Sequence, residues 1–264
     1  MKEKLFVVKI GGALIDDENL LNEFLTQFAA IEEKKILVHG GGKLANVLAE
    51  KLGVNQQMIN GRRITDKETL NIVTMVYAGN INKNIVAQLQ QKDCDGIGLS
   101  GADANLIQAT KRIHPEIDFG FVGDIDKESV NRKVISGLLQ MNMIPVFSAI
   151  THDKKGNLLN TNADTIASVI AQALSDLYEV ELLFCFDKEG VLEDVDHPET
   201  LIKKVSEKDF YTLKEEGKLH KGILPKLENA LAAVKNNVSK VFLIKETQLK
   251  NHIKNNHEGT EICL

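Results

Sequence analysis

A chain of 264 residues with 43% hydrophobic side chains can bury a full core, as one large α/β domain or as two lobes sharing a sheet. Its 32 lysines and arginines against 37 aspartates and glutamates leave a net charge of −5, and no basic run is long enough to track a nucleic-acid backbone, so nucleic acid is not an expected partner. The N-terminal apolar run is too short for a signal segment and contains Lys9, no stretch approaches the roughly 18 uncharged apolar residues of a membrane span, and the expectation is a cytoplasmic globular protein away from membranes. Cys94, Cys185 and Cys263 show no C-x-x-C spacing and read as packing residues. No pair of histidines at i, i+4 stands beside a carboxylate, so no metal-binding residues are expected.

The first element is an apolar strand, Leu5 to Ile10, ending in the turn Gly11-Gly12. Asp17 can cap a helix to about Glu33, because Leu20, Leu21, Phe24, Leu25, Phe28 and Ile31 recur at three- and four-residue spacings. A second strand, Lys35 to His39, ends in Gly40-Gly41-Gly42, and helical periodicity follows from Lys43 to Leu52, with Gly53 suited to end it. Buried β-branched runs read as central parallel strands, and glycines at their carboxyl ends let backbone N–H groups approach a ligand that a Cβ would push away. The helix after the second turn aims its free N–H groups and positive dipole end at the same place. The plain alternative is two tight strand-to-helix turns in an ordinary α/β protein.

Next comes a hairpin, Met58 to Thr65, with Asn60-Gly61 as its turn and Arg62 and Arg63 on one arm. The planar fork of Arg63 suits a carboxylate, and a solvated charge pair is an equal reading of the same residues. Thr65 or Asp66 opens a long helix to about Gln91, followed by the strand Gly96 to Ser100 and the turn Gly101-Ala102-Asp103; residues 112–130 read as short strands or a hairpin. A helix from Asn131 to Met141, a buried strand from Ile144 to Ile150 and a turn at Asp153 to Asn157 lead to Asn160-Thr161-Asn162-Ala163-Asp164, which opens a helix from Thr165 to Ser175. Capping needs only one of those polar side chains. Val180 to Phe186 is an apolar strand with a turn at Asp187 to Val191. Lys221 to Lys226 leads into a helix from Leu227 to Asn236, with Pro225 suited to a first turn, and the chain closes on a strand from Lys240 to Ile244, a short helix from Thr247 and a strand from Gly259 to Ile262.

KIGGA at 9–13, HGGG at 39–42, NGRRITD at 60–66, NTNAD at 160–164 and GILPK at 222–226 together resemble the acetylglutamate kinases of the amino acid kinase superfamily, in order and over almost the whole chain. The resemblance implies a three-layer αβα sandwich around an open, mostly parallel eight-stranded sheet. It implies a single domain, 1–264, with an acyl-amino-acid lobe over about 1–175 and a nucleotide lobe over about 176–264. The implied reaction is ATP-dependent phosphorylation of the γ-carboxylate of N-acetyl-L-glutamate, an arginine-biosynthesis step, with ATP as co-substrate and Mg2+ entering with it. It assigns Lys9 and Lys226 to stabilising the transferring phosphoryl group, Asp164 to holding both ammonium groups, Gly11 and Gly12 to the phosphoryl oxygens, Gly41 and Gly42 to the acceptor carboxylate, Arg63 to the α-carboxylate and Asn160 to the amide. Such chemistry needs two anions held in line under positive charge, and no base, because a carboxylate is already ionised at neutral pH.

Three positions depart from the pattern: Ala102 stands where relatives often carry Lys, Phe186 to Gly190 is a variant strand end, and Arg62 replaces a common Leu. Arg62 makes N-succinyl-L-glutamate, with its extra carboxylate, an alternative substrate, although adjacent hairpin residues point to opposite faces. Other readings are a kinase for a different carboxylate and a non-catalytic nucleotide- or amino-acid-sensing module of the same fold. Neither glycine turn reads G-x-G-x-x-G, which weighs against a dinucleotide dehydrogenase. With few residues ahead of Lys9, the expected assembly is an arginine-insensitive homodimer.

Overall fold

Eight strands make one continuous sheet: β1 (Lys4–Ile10), β2 (Lys34–His39), β3 (Gly96–Leu99), β4 (Ile144–Phe147), β5 (Glu179–Phe186), β6 (Lys204–Ser206), β7 (Lys240–Lys245) and β8 (Thr260–Cys263). Their order across the sheet is β6-β8-β7-β5-β1-β2-β4-β3. Pairing is parallel throughout, except that β8 runs antiparallel to β7. The structure is a computed structural model and describes residues 2–59, 62–194, 196–219 and 222–264. β1 lies between β5 and β2, with Lys9 opposite Phe184 on one side and Val38 on the other. Every residue from Leu5 to Ile10 is buried, as a parallel strand covered on both faces requires. The sheet is flanked by helices, so the expected α/β architecture is the observed one.

Among the described residues, the helices of eight or more residues are α1 (Glu18–Ala29), α2 (Gly42–Lys51), α3 (Lys67–Thr74), α4 (Asn82–Gln90), α5 (Arg132–Gln140), α6 (Ala163–Leu174), α7 (Glu207–Glu215) and α8 (Leu224–Lys235). Asp17 caps α1 by accepting from the N–H groups of Asn19 and Leu20, Asp66 caps α3 through Thr69, and Asn131 caps α5 through Val134. The hydroxyl of Ser206 does the same for α7 by accepting from Asp209.

Several boundaries differ from the sequence reading. α1 stops at Ala29 rather than near Glu33 because the buried Lys35 ammonium, 5% exposed, donates to the carbonyls of Ala29 and Ile31, each at 2.7 Å, and so ends the helix. The long helix from residue 66 to 91 is three segments: α3 and α4 are joined by a π-helical stretch, Met75–Ile81. The strand expected over Ile144 to Ile150 splits. β4 ends at Phe147, Ser148 turns its N–H and hydroxyl onto the Leu99 carbonyl, and Ile150–His152 leaves the sheet to form a hairpin with Leu158–Asn160. α6 begins at Ala163 rather than Thr165, capped by Asn162, and α8 begins at Leu224 rather than Leu227, with Pro225 in its first turn. The arms Met58–Ile59 and Arg62–Arg63 pair antiparallel as expected; the turn residues Asn60 and Gly61, and the side chain of Arg62, lie outside the described residues.

Candidate active site

The carboxyl ends of β1 and β2 stand side by side, and each gives way to a glycine turn. Lys9, the penultimate residue of β1, is only 6% exposed, which in a sheet of apolar neighbours demands a counter-charge. That charge is Asp164. Its Oδ1 lies 2.6 Å from the Lys9 Nζ, and its Oδ2 accepts a hydrogen bond from the Lys226 Nζ at 3.2 Å. One carboxylate therefore draws together an ammonium from β1 and another from the first turn of α8.

Local structure fixes that carboxylate. The Asn162 side chain accepts from the N–H groups of Asp164 and Thr165 at 2.8 and 3.1 Å, which places Asp164 in the first turn of α6, where the helix dipole favours a negative charge. α8 is also tied to α6 by a hydrogen bond between the helices, flanked by one within each. The Ser168 hydroxyl donates to the Asn229 carbonyl at 2.7 Å, Gln172 donates to Ser168, and the Asn229 side chain donates to the Pro225 carbonyl at 2.8 Å. Burial alone would raise the Asp164 carboxyl, but the charges and hydrogen bonds of Lys9 and Lys226 outweigh it and hold the group below the usual carboxylate range. Burial pushes the Lys9 ammonium down, opposed by Asp164 and reinforced by the like charge of Lys226.

A cavity of about 340 Å3 opens beside this triad. Lys9, Gly12, Gly41, Gly42, Arg63, Asn160 and Asp164 all border it, so sequence-distant candidates converge on one space; Gly11 and Lys226 do not border it. Gly41 is required as glycine: its φ is +150°, and a Cβ there would stand 2.2 Å from the Ile81 Cδ1. Arg63 is buried beneath the cavity, its Nη2 donating to the Gly42 carbonyl at 3.1 Å and its Nη1 to the Gln56 side-chain oxygen. Asn160 donates to the Thr65 hydroxyl at 3.1 Å, which orients its amide at the cavity wall.

Three features escaped the sequence reading. His39 is fully buried: its Nδ1 donates to the Gly40 carbonyl at 2.9 Å, and its Nε2 accepts from the Asn82 amide, which also donates to the Val146 carbonyl. Those partners assign the neutral tautomer, and burial lowers the imidazole to about 4. Tyr77 borders the cavity from the π-helical stretch, and Arg112 borders it while pairing with Asp124. Only the HGGG spacing hinted at the first; the other two depend on how distant segments pack.

The sequence model of the amino acid kinase family matches residues 4–245. Acetylglutamate kinase of Bacteroides fragilis is 48% identical over 243 residues, covering 92% of each chain. Acetylglutamate kinase of Bacteroides thetaiotaomicron is 46% identical over 262 residues, covering 99% of each chain. The crystal structure of smu.665 from Streptococcus mutans aligns with a TM-score of 0.81 at 26% identity, covering 100% of this chain and 99% of the other.

Proposed function

Because the chain belongs to the amino acid kinase family, we propose that it transfers the γ-phosphoryl group of ATP to the γ-carboxylate of N-acetyl-L-glutamate, giving an acyl phosphate for arginine biosynthesis. The observation that carries this reading is the junction of Lys9 and Lys226 on Asp164, beside a cavity bordered by Arg63 and Asn160. Two carboxylates and a triphosphate repel one another, so catalysis of their reaction is chiefly positioning and charge stabilisation. Arg63 clamps the α-carboxylate and Asn160 holds the acyl amide. The γ-carboxylate, already ionised, is then presented under the Gly41 and Gly42 backbone. Lys9 and Lys226 stabilise the charge on the transferring oxygens, Gly11 and Gly12 donate backbone N–H groups to the phosphates, and Asp164 holds both lysine side chains in place. The acyl amino acid occupies the lobe of about residues 1–175 and ATP that of about 176–264.

Mg2+ accompanies ATP. Among the described residues no group of three or more His, Cys, Asp or Glu side chains could hold a metal, and Asp164 is already shared by two ammonium groups. These residues do not form a protein cage for the ion, and no step above is routed through it; phosphate oxygens and water would hold it.

A coupled assay of ADP release with N-acetyl-L-glutamate, N-succinyl-L-glutamate, L-glutamate and L-aspartate tests the proposal. Turnover confined to acylated glutamate is expected, and no ADP release with either acyl substrate would sink it. Arg112 gives the succinyl substrate its place in that assay, since a second guanidinium borders the cavity. No helix among the described residues is long and apolar enough to cross a membrane. A cytoplasmic homodimer without a nucleic-acid partner completes the reading, supported by the family resemblance and the acidic net charge. Light scattering at the mass of one chain or of six would refute the dimer.

A further inference from the structure

Tyr77 is the third of the seven residues of the π-helical stretch Met75–Ile81, a local widening that often marks a functional site. The stretch sets two side chains, Tyr77 and Ile81, against the glycine turn after β2. A Cβ on Gly41 would stand 3.1 and 3.3 Å from the Tyr77 ring carbons, and a Cβ on Gly42 would stand 3.9 Å from the Tyr77 hydroxyl and 3.5 Å from the Arg63 Nη2. The phenol and the guanidinium thus bound one small space, left open because residue 42 carries no side chain. Both groups also border the cavity.

Building on the placement of the substrate α-carboxylate at Arg63, we propose that Tyr77 is a further substrate-binding residue, whose hydroxyl donates a hydrogen bond to that same α-carboxylate. The guanidinium spends one donor on the Gly42 carbonyl and another on Gln56, while a carboxylate offers about four acceptor positions. A phenol fills one of them from a second direction and fixes the rotation of the carboxylate about its Cα. It does so without adding charge to a cavity already bordered by the Lys9 ammonium and the guanidinium groups of Arg63 and Arg112. Burial keeps the phenol protonated, raising it above its ordinary value against the opposing charge of Arg63, so it can act as a donor throughout the working pH range. The ring is only 6% exposed, so the hydroxyl is held in place before the ligand arrives.

The test compares Tyr77→Phe with the wild-type chain by calorimetry, using N-acetyl-L-glutamate and N-acetyl-4-aminobutyrate as probes. The second probe keeps the amide and the terminal carboxylate and lacks only the α-carboxylate. Tyr77→Phe should weaken the Kd of N-acetyl-L-glutamate about tenfold, leave that of N-acetyl-4-aminobutyrate unchanged, and leave the KM for ATP unchanged. Equal losses on both probes would show that the tyrosine merely packs the glycine turn, and no loss on N-acetyl-L-glutamate would show that it does not touch the ligand; either result overturns the proposal. Tyr77→Leu, whose urea midpoint reports whether the chain folds, should show the same selective loss. Wild-type binding of N-acetyl-L-glutamate is measured first, so that failure of the parent reading, which would remove both proposals, is distinguished from failure of Tyr77 alone.

Discussion

Asp164 stands between two ammonium groups, and removing its charge should expose what it balances. Asp164→Asn is nearly isosteric, yet it leaves Lys9 and Lys226 repelling each other in a buried site. We expect kcat to fall by about a hundredfold or more while ATP binding stays measurable by calorimetry. Lys9→Ala and Lys226→Ala should likewise lose far more kcat than folding stability. His39 makes a different prediction, about pH. Its folded value is about 4, against roughly 6.5 when unfolded. As pH falls from 6.5 to 4 the unfolded chain takes up a proton that the folded chain refuses, so stability is full above 6.5 and declines by roughly 3 kcal/mol across that window. Asp164 has the depressed carboxyl, and its contribution is lost only at lower pH, below the ordinary carboxylate range. Urea midpoints measured between pH 7 and 4 should fall with pH in the wild type. In His39→Asn the decline should be shallower, and an unchanged slope would refute the assignment.

The glycine turn after β2 is shaped by the π-helical stretch packed upon it. Gly41→Ala forces a side chain onto a φ of +150° and into the Ile81 methyl, and should cost about 1–3 kcal/mol of stability. Introducing the same change in an Ile81→Ala background would relieve the steric part and leave the backbone part, a difference readable in denaturant melts. This element also shows where sequence reading stops. Apolar runs marked β1, β2, β4, β5 and β7, because a strand buried on both faces has no polar alternation to hide it; β3 and β8 stood out by their place between turns, and β6, only Lys204–Ser206, was too short to register. Asp17, Asp66 and Asn131 advertised their helix starts by chemistry local to the chain. The end of α1 at Ala29 depends on Lys35 turning back, and the departure of Ser148 from β4 depends on the Leu99 carbonyl; both are tertiary facts. The same division holds at the site. Lys9 and the glycine turns were visible in their own strands, whereas the pairing of Lys226 with Asp164 came through the family resemblance. Tyr77 needed the register of a helix against a turn, which no spacing records.

At the scale of the molecule, a second buried charge cluster secures the far side of the sheet. Glu181 on β5 accepts from the His252 Nε2 at 2.7 Å and pairs with Lys4 at 3.1 Å, while the His252 Nδ1 donates to the Glu258 carbonyl. It joins the segment before β8 to the centre of the sheet, three rungs from the pairing of Lys9 with Phe184, or about 10 Å. Glu181→Gln should therefore lower stability by about 1–3 kcal/mol in urea melts and leave kcat unchanged. A loss of kcat without a loss of stability would place the cluster in the reaction instead.

The central place of β1 has a consequence for how the chain is made. One of its edges pairs with β2, only a helix away, but the other waits for β5, Glu179–Phe186. At about 5–20 residues per second, synthesis leaves that edge open for roughly 10 to 35 seconds. Throughout that interval a strand that is apolar apart from Lys4 and Lys9 presents unpaired backbone groups, the kind of surface that invites aggregation. Nascent chains stalled on the ribosome before Glu179 should be held by hydrophobic-binding chaperones far longer than chains stalled after Lys245, because the later chains can close the sheet around their first strand.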